Sequence, residues 1–121
     1  MADRSERPRR RTSATPPVFS RAQLEALTEE AIVDAYGESE QAVAFATVLE
    51  DNVALPFTTE VLGVPVVVER IDTTERDEIV AVVRRGRHRQ RVPLLDLPLP
   101  SPPPAGAEWI AAYRLWAGGG G

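Results

Sequence analysis

The chain has 121 residues, 43% of them hydrophobic, and its 18 acidic and 14 basic side chains give a net charge of −4. This length and composition predict one soluble globular domain. The absence of cysteine and the presence of one histidine, His88, exclude disulfides, zinc fingers, iron–sulfur clusters and histidine-rich metal sites. No apolar run approaches the roughly 20 residues that cross a bilayer. We therefore expect a cytoplasmic protein with no membrane partner.

The charges are unevenly distributed along the chain. Residues 1–20 contain five arginines and two acids, whereas residues 21–83 contain fourteen acids and three arginines. Residues 84–91 then contain five arginines and no acid. The sequence therefore predicts an acidic body that carries a basic tail and a short basic ribbon.

The composition predicts three segments. Residues 1–17 contain no large apolar residue except Met1, so we expect a disordered basic arm. Residues 118–121 are all glycine and are expected to form a flexible tail. The folded domain is therefore expected to span residues 18–117.

Two helices are predicted near the start of this domain. Apolar residues recur at spacings of three and four after Ser20, which is a favourable N-cap, and again after about Ser39. The first helix is expected to end or kink at Gly37, because glycine tolerates the left-handed conformation of helix ends. The second is expected to end before Pro56, which disfavours the helical conformation of its predecessor.

Three strands are predicted next, because β-branched residues follow a period of two. They span Pro65–Asp72, Glu78–Arg85 and Arg89–Leu95, and the last two are joined by a tight turn at Gly86. Three consecutive strands favour a small antiparallel sheet or half-barrel. The predicted fold class is therefore α+β.

A short C-terminal helix is predicted after the proline-rich residues 98–104, which are expected to form an extended linker. Trp109, Tyr113 and Trp116 share one stripe of this helix at spacings of four and three. Such a stripe is typical of a core, and the alternative is a face that binds a partner.

Acidic residues cluster where the two predicted helices meet. Asp34, Glu38 and Glu40 surround Gly37, close to the carbonyl oxygens that a helix C-terminus leaves unpaired. Calcium takes six to eight such oxygen ligands. Glu50, Asp51 and Asn52 form a second oxygen cluster, which either completes this site or forms another, and residues 72–78 form a third. The alternative is a solvated acidic surface.

The same residues lie in strings that resemble a known family. The strings VDAYGE at residues 33–38 and LEDN at residues 49–52 are followed by Pro56-Phe57 and by Trp109 to Trp116. Together they resemble the small bacterial calcium-binding proteins of the CcbP type over about residues 28–116. The resemblance implies a calcium binder with carboxylate ligands on a compact domain, and no EF-hand loop is present. We expect reversible calcium binding, as a sensor or buffer, with magnesium as the lesser rival.

The basic ribbon of residues 84–91 supports an alternative function, a nucleic-acid or protein-interaction module. No aromatic residue is interleaved with its arginines for base stacking, and the acidic body would repel a polyanion. The structural interpretation is that these arginines face water or pair with Glu69, Glu75 and Glu78. No nucleophile motif or phosphate loop is present, so no enzymatic activity is predicted.

Overall fold

The computed structural model describes residues 19–118. It contains three helices and four strands, in the order α1 (Arg21–Ile32), α2 (Glu38–Asn52), β1 (Phe57–Val61), β2 (Val64–Thr73), β3 (Ile79–Arg85), β4 (His88–Pro93), a short 3-10 helix (Leu94–Asp96) and α3 (Ala107–Ala117). The α+β class is confirmed. Within residues 19–118, none of the helices has the length and apolarity to span a membrane. The predicted basic arm and residues 119–121 of the predicted tail lie outside the described residues.

Helix α1 begins where the sequence predicts and ends earlier. The Ser20 hydroxyl accepts a hydrogen bond from the backbone N–H of Gln23, and the Gln23 side chain accepts one from the N–H of Ser20. The helix ends at Ile32, because Asp34 reverses the chain with a positive φ of 65°. Gly37 therefore does not end α1; with φ of 90° it is the N-cap of α2. The predicted role of Gly37 was wrong in this respect.

The four strands form one antiparallel sheet in sequence order, β1-β2-β3-β4. The predicted three-stranded meander corresponds to β2, β3 and β4. The first strand was missed, since its sequence FTTEV is polar at three of five positions and short. A bulge between Val68 and Arg70 leaves Glu69 without a partner residue on β3.

Helices α2 and α3 pack on one face of the sheet, here called the inner face. Phe45 and Leu49 of α2 and Ile110 of α3 are fully buried in one core with Val68 and Ile79. Burial of such apolar surface is the main driving force of the fold.

The predicted aromatic stripe belongs to this core. The ring centroid of Phe45 lies 5.6 Å from that of Tyr113 and 5.3 Å from that of Trp116. Trp109 is 8% exposed and Tyr113 is 3% exposed. The core interpretation is confirmed, and the stripe is not an exposed partner-binding face.

The proline-rich segment crosses the edge of β1 and leads to α3. The Thr59 hydroxyl donates a 2.7 Å hydrogen bond to the Pro98 carbonyl. Gly106 then packs against the backbone of Asn52 so closely that a Cβ atom would overlap the Asn52 carbonyl. The start of α3 is thus fixed against the end of α2.

Candidate metal centre

The junction between α1 and α2 forms an open depression of about 390 Å³. Asp34 and Glu40 line it together with Val33, Ser39 and Val43, among others. The chain reversal at Asp34 and the positive φ of Gly37 bring the two carboxylates to one depression. Of the predicted ligands, Asp34 and Glu40 are therefore brought together, and Glu38 is the exposed first residue of α2 beside them.

The electrostatic setting of this junction differs from the expectation. Glu38 and Glu40 lie in the first turn of α2, where the positive end of the helix dipole stabilises carboxylates. The Glu40 carboxylate also accepts a 3.1 Å hydrogen bond from the backbone N–H of Tyr36. Of the three acids, Asp34 follows the C-terminus of α1, where a cation is favoured.

The loop between β2 and β3 contributes a carboxylate that the sequence placed in a separate cluster. The Ser39 hydroxyl donates a 3.0 Å hydrogen bond to Asp77, which has a positive φ of 64°. Asp77 therefore lies beside the first turn of α2, although the two residues are 38 positions apart. Only tertiary structure brings this pair together, since no local pattern joins a helix start to a distant loop.

The second oxygen cluster lies at the opposite end of α2. Because α2 is one unbroken helix, Glu40 and Glu50 are ten positions apart, which corresponds to about 15 Å along the axis. Glu50, Asp51 and Asn52 therefore cannot complete a site at the junction. The alternative of a separate second site stays a prediction.

Two members of this second cluster already have partners. The Glu50 carboxylate accepts a hydrogen bond from the backbone N–H of Ile71 in β2. The Asn52 amide donates to the carbonyl of Val48 at 2.8 Å. Asp51 is exposed.

The donor chemistry of the junction fits a hard cation, because its side chains are carboxylates. Across residues 19–118, no three acidic or histidine side chains converge closely enough to hold a metal. Asp34, Glu38 and Glu40 are all exposed, so their side chains can rotate at little cost in packing. A closed coordination sphere at the junction therefore requires rotation of these carboxylates.

A family model of CcbP-type proteins, described as calcium binding, matches residues 25–117. The chain belongs to this calcium-binding family. The match covers all the residues that carry the sequence resemblance, and that resemblance is confirmed. A comparison with curated proteins finds no match.

Two solved structures share the fold of this family member. One is a calcium-binding protein in the calcium-binding form, with a TM-score of 0.65, and the other is CcbP from Anabaena, with a TM-score of 0.60. Each is 18% identical in sequence, and each alignment covers 84% of this chain and 93% of the other. At this identity the two structures establish the shared architecture.

The basic ribbon is divided between the two faces of the sheet, because alternate residues of a strand point to opposite sides. On the outer face, Glu69 forms ion pairs with Arg84 at 2.7 Å and with Arg89 at 2.8 Å. Hydrogen bonds donated by Arg89, which has the larger effect, and by Arg84 lower the pKa of Glu69. The expected pairing with Glu69 is thus present.

A second acid neutralises further arginines of the outer face. Asp72 pairs with Arg70 at 3.2 Å and with Arg91 at 3.3 Å. The backbone N–H of Thr73 lowers the pKa of Asp72, and the two arginines lower it further. The sequence predicts that Glu75 and Glu78 also pair with these arginines, but within the described chain neither forms an ion pair. Asp72 forms the second set of ion pairs instead.

These side chains cover apolar residues of the outer face. Val80 and Val82 of β3 are 2% and 4% exposed. Arg70 and Arg91 flank Val82 on the neighbouring strands. Arginine stems shield apolar surface while their charged heads remain in water. Three of the five ribbon arginines therefore help to hold the sheet together, which weakens the nucleic-acid alternative.

Proposed function

We propose that this protein binds calcium reversibly at the α1–α2 junction, with Asp34, Glu38 and Glu40 as its carboxylate ligands. The observation that carries the proposal is that Asp34 and Glu40 line one depression in a member of a calcium-binding family. Asp77 contacts Ser39, which lines the same depression, so we propose Asp77 as a further candidate ligand.

The chemistry of the junction favours calcium over magnesium. Calcium accepts six to eight oxygens in flexible geometry, whereas magnesium requires a near-ideal octahedron and usually keeps several waters. Carboxylates that rotate in from two loops and one helix form an irregular set. Water can supply the remaining positions.

Calcium also reduces the repulsion among these acids. Asp34, Glu38 and Glu40 lie within seven residues of one another, and residues 21–83 carry fourteen acids against three arginines. A cation that binds the folded chain and not the unfolded one stabilises the fold by mass action. Calcium should therefore raise the free energy of unfolding.

A second, weaker site is proposed at Glu50, Asp51 and Asn52. Calcium at this position competes with the hydrogen bond between the Glu50 carboxylate and Ile71, which lowers the net gain of binding. We expect this site to fill after the junction.

The proposed role is that of a calcium buffer or sensor in the cytoplasm. The family is characterised by binding, so we propose no catalysed reaction. In this proposal the function depends on exposed carboxylates that bind the calcium ion and release it again to the surrounding water.

The proposal predicts that calcium shifts the thermal unfolding midpoint. At a calcium concentration of about 100 times Kd, the gain is about 2.7 kcal/mol, which corresponds to a rise of several degrees relative to a chelator control. The triple variant Asp34→Asn, Glu38→Gln, Glu40→Gln should lose most of this rise.

The control is the double variant Asp96→Asn, Glu108→Gln, which removes two acids away from the junction and should respond like the wild type. An unfolding midpoint of the wild type that is the same in calcium and in chelator would contradict the proposal. So would a full calcium response of the triple variant.

A further inference from the structure

The inner face of the sheet extends beyond the helices that cover it. At the end that holds the β1–β2 turn, four valines form the floor of a groove of about 480 Å³: Val61, Val64, Val66 and Val83. Val66 and Val83 belong to the hydrophobic core and are 7% and 2% exposed, whereas Val61 and Val64 are half-buried, so the groove borders the core. Leu62, at the tip of the turn, is 97% exposed beside it.

The rim of this groove is polar and basic along β3 and β4. Arg85, His88 and Gln90 line it, on the same face as Val83. Arg84 pairs with Glu69 on the outer face, but Arg85 forms no ion pair with any residue of 19–118. The groove therefore combines an apolar floor with a cation that the described chain leaves unneutralised.

The part of the inner face that the helices cover shows which kind of element packs on this surface. Helix α2 packs there through Phe45 and Leu49, while Glu40 and Glu50 of the same helix are exposed. The inner face is thus already covered by an amphipathic helix with acidic flanks. The groove lies on the same strands, directly beyond that interface.

We propose that this groove docks an acidic amphipathic helix of a partner protein. Its apolar stripe covers the valine floor, and a carboxylate on its flank pairs with Arg85. Recognition of a helix in a groove follows anchors spaced by three or four residues. The charge of the rim selects an acidic flank over a basic one.

Other occupants fit the groove less well. A second copy packed through the same surface would bring two copies of the unneutralised Arg85 into one interface, because a two-fold interface repeats one patch. A nucleic acid offers phosphates to the rim and nothing that covers the valines. Continuity with the α2 interface and the unneutralised Arg85 both favour an acidic helix.

The test uses the full chain and a synthetic helical peptide of about 14 residues, with leucines at positions i, i+3, i+4 and i+7 and glutamates on both flanks. Peptide binding is followed by fluorescence anisotropy and by amide chemical shifts. We expect shifts at Val61, Val64 and Gln90. Arg85→Glu should weaken binding about tenfold, as expected for reversal of one rim charge.

One matched control and one second groove variant keep the result specific. Arg76→Glu makes the same charge change at an exposed arginine of the β2–β3 loop, at the other end of the sheet, and should leave affinity unchanged. Leu62→Ser removes an exposed apolar side chain without loss of core packing, and should weaken binding while the amide spectrum stays that of a folded protein.

Four results would overturn the proposal. They are no binding of the peptide, equal binding of a peptide with lysines in place of glutamates, equal loss in Arg85→Glu and Arg76→Glu, and a concentration-dependent dimer that shifts the same amides. The last result would assign the groove to a second copy of the chain.

Discussion

Glu50 shows how a single residue can suggest one role in sequence and have another in the fold. It lies in the acidic string LEDN, which predicts a cation ligand. In the structure its carboxylate accepts a hydrogen bond from the backbone N–H of Ile71. Ile71 lies in the part of β2 after Val68, where β1 no longer pairs with it. Glu50 therefore joins the end of α2 to the sheet.

This structural role predicts a stability difference between neighbours. Glu50→Ala leaves the Ile71 N–H without its partner and should lower the free energy of unfolding by about 1–3 kcal/mol. Asp51→Ala, at the adjacent exposed position, should change it by less than about 0.5 kcal/mol. Urea unfolding measures both. Equal stability of the two variants would show that the bond to Ile71 contributes nothing.

The charge pattern of the sequence identifies which acids lie near the junction. It does not show which helix carries each of them. The spacing of Asp34, Glu38 and Glu40 is visible in sequence, but it suggests ligands at the end of the first helix. The early stop of α1 at Ile32 instead assigns Glu38 and Glu40 to the start of the second. Asp77 has no local signal that connects it to Ser39.

At the scale of elements, the outer face of the sheet is held by charge pairs across strands. The bulge at Glu69 places its carboxylate beside Arg84 of β3 and Arg89 of β4. Each acid of this face holds two arginines, so the loss of one acid leaves two cations facing each other. The arrangement joins β2, β3 and β4 through side chains as well as through backbone hydrogen bonds.

The lowered pKa of Glu69 gives this arrangement a pH dependence. A carboxyl group whose pKa is lower in the folded chain than its ordinary 4.5 stabilises the fold above that value. The contribution is lost as the pH falls through the lowered folded pKa. Glu69→Gln should therefore be less stable than the wild type at pH 7, and the difference should shrink as the pH falls below 4.5.

Urea midpoints measured from neutral pH down to well below 4.5 check this prediction. Glu60→Gln, at an exposed position of β1, is the matched control and should follow the wild type throughout. A deficit of Glu69→Gln that is the same at every pH would show that the charge of Glu69 is not what stabilises the sheet.

Elements with a strong apolar period are predictable from the sequence, and those defined by tertiary contacts are not. The valines of β2 and β3 identify those strands to within one residue, and the period of α2 identifies that helix, although it ends three residues earlier than Pro56 alone suggests. β1 lacks such a period and pairs because Phe57 and Val61 fit the edge of β2. The contact of Gly106 with Asn52 likewise follows from packing alone.

At the scale of the whole molecule, the acidic loop of residues 74–78 and the basic ribbon of residues 84–91 lie at opposite ends of one sheet. The β2–β3 loop, with Asp77, lies at the end that contacts the α1–α2 junction. The β3–β4 turn, with Arg85 and His88, lies at the other end of β3, about 20 Å away for a strand of seven residues. The acidic end is proposed to bind calcium and the basic end to bind an acidic helix.

The most direct test of the calcium site is a calorimetric titration of the wild type and of the double variant Asp34→Asn, Glu40→Gln. We expect the wild type to bind calcium more tightly than magnesium, and the double variant to lose the tighter binding event. Asp51→Asn should retain that event. A double variant that binds calcium with wild-type affinity and stoichiometry would contradict the assignment of the site to the α1–α2 junction.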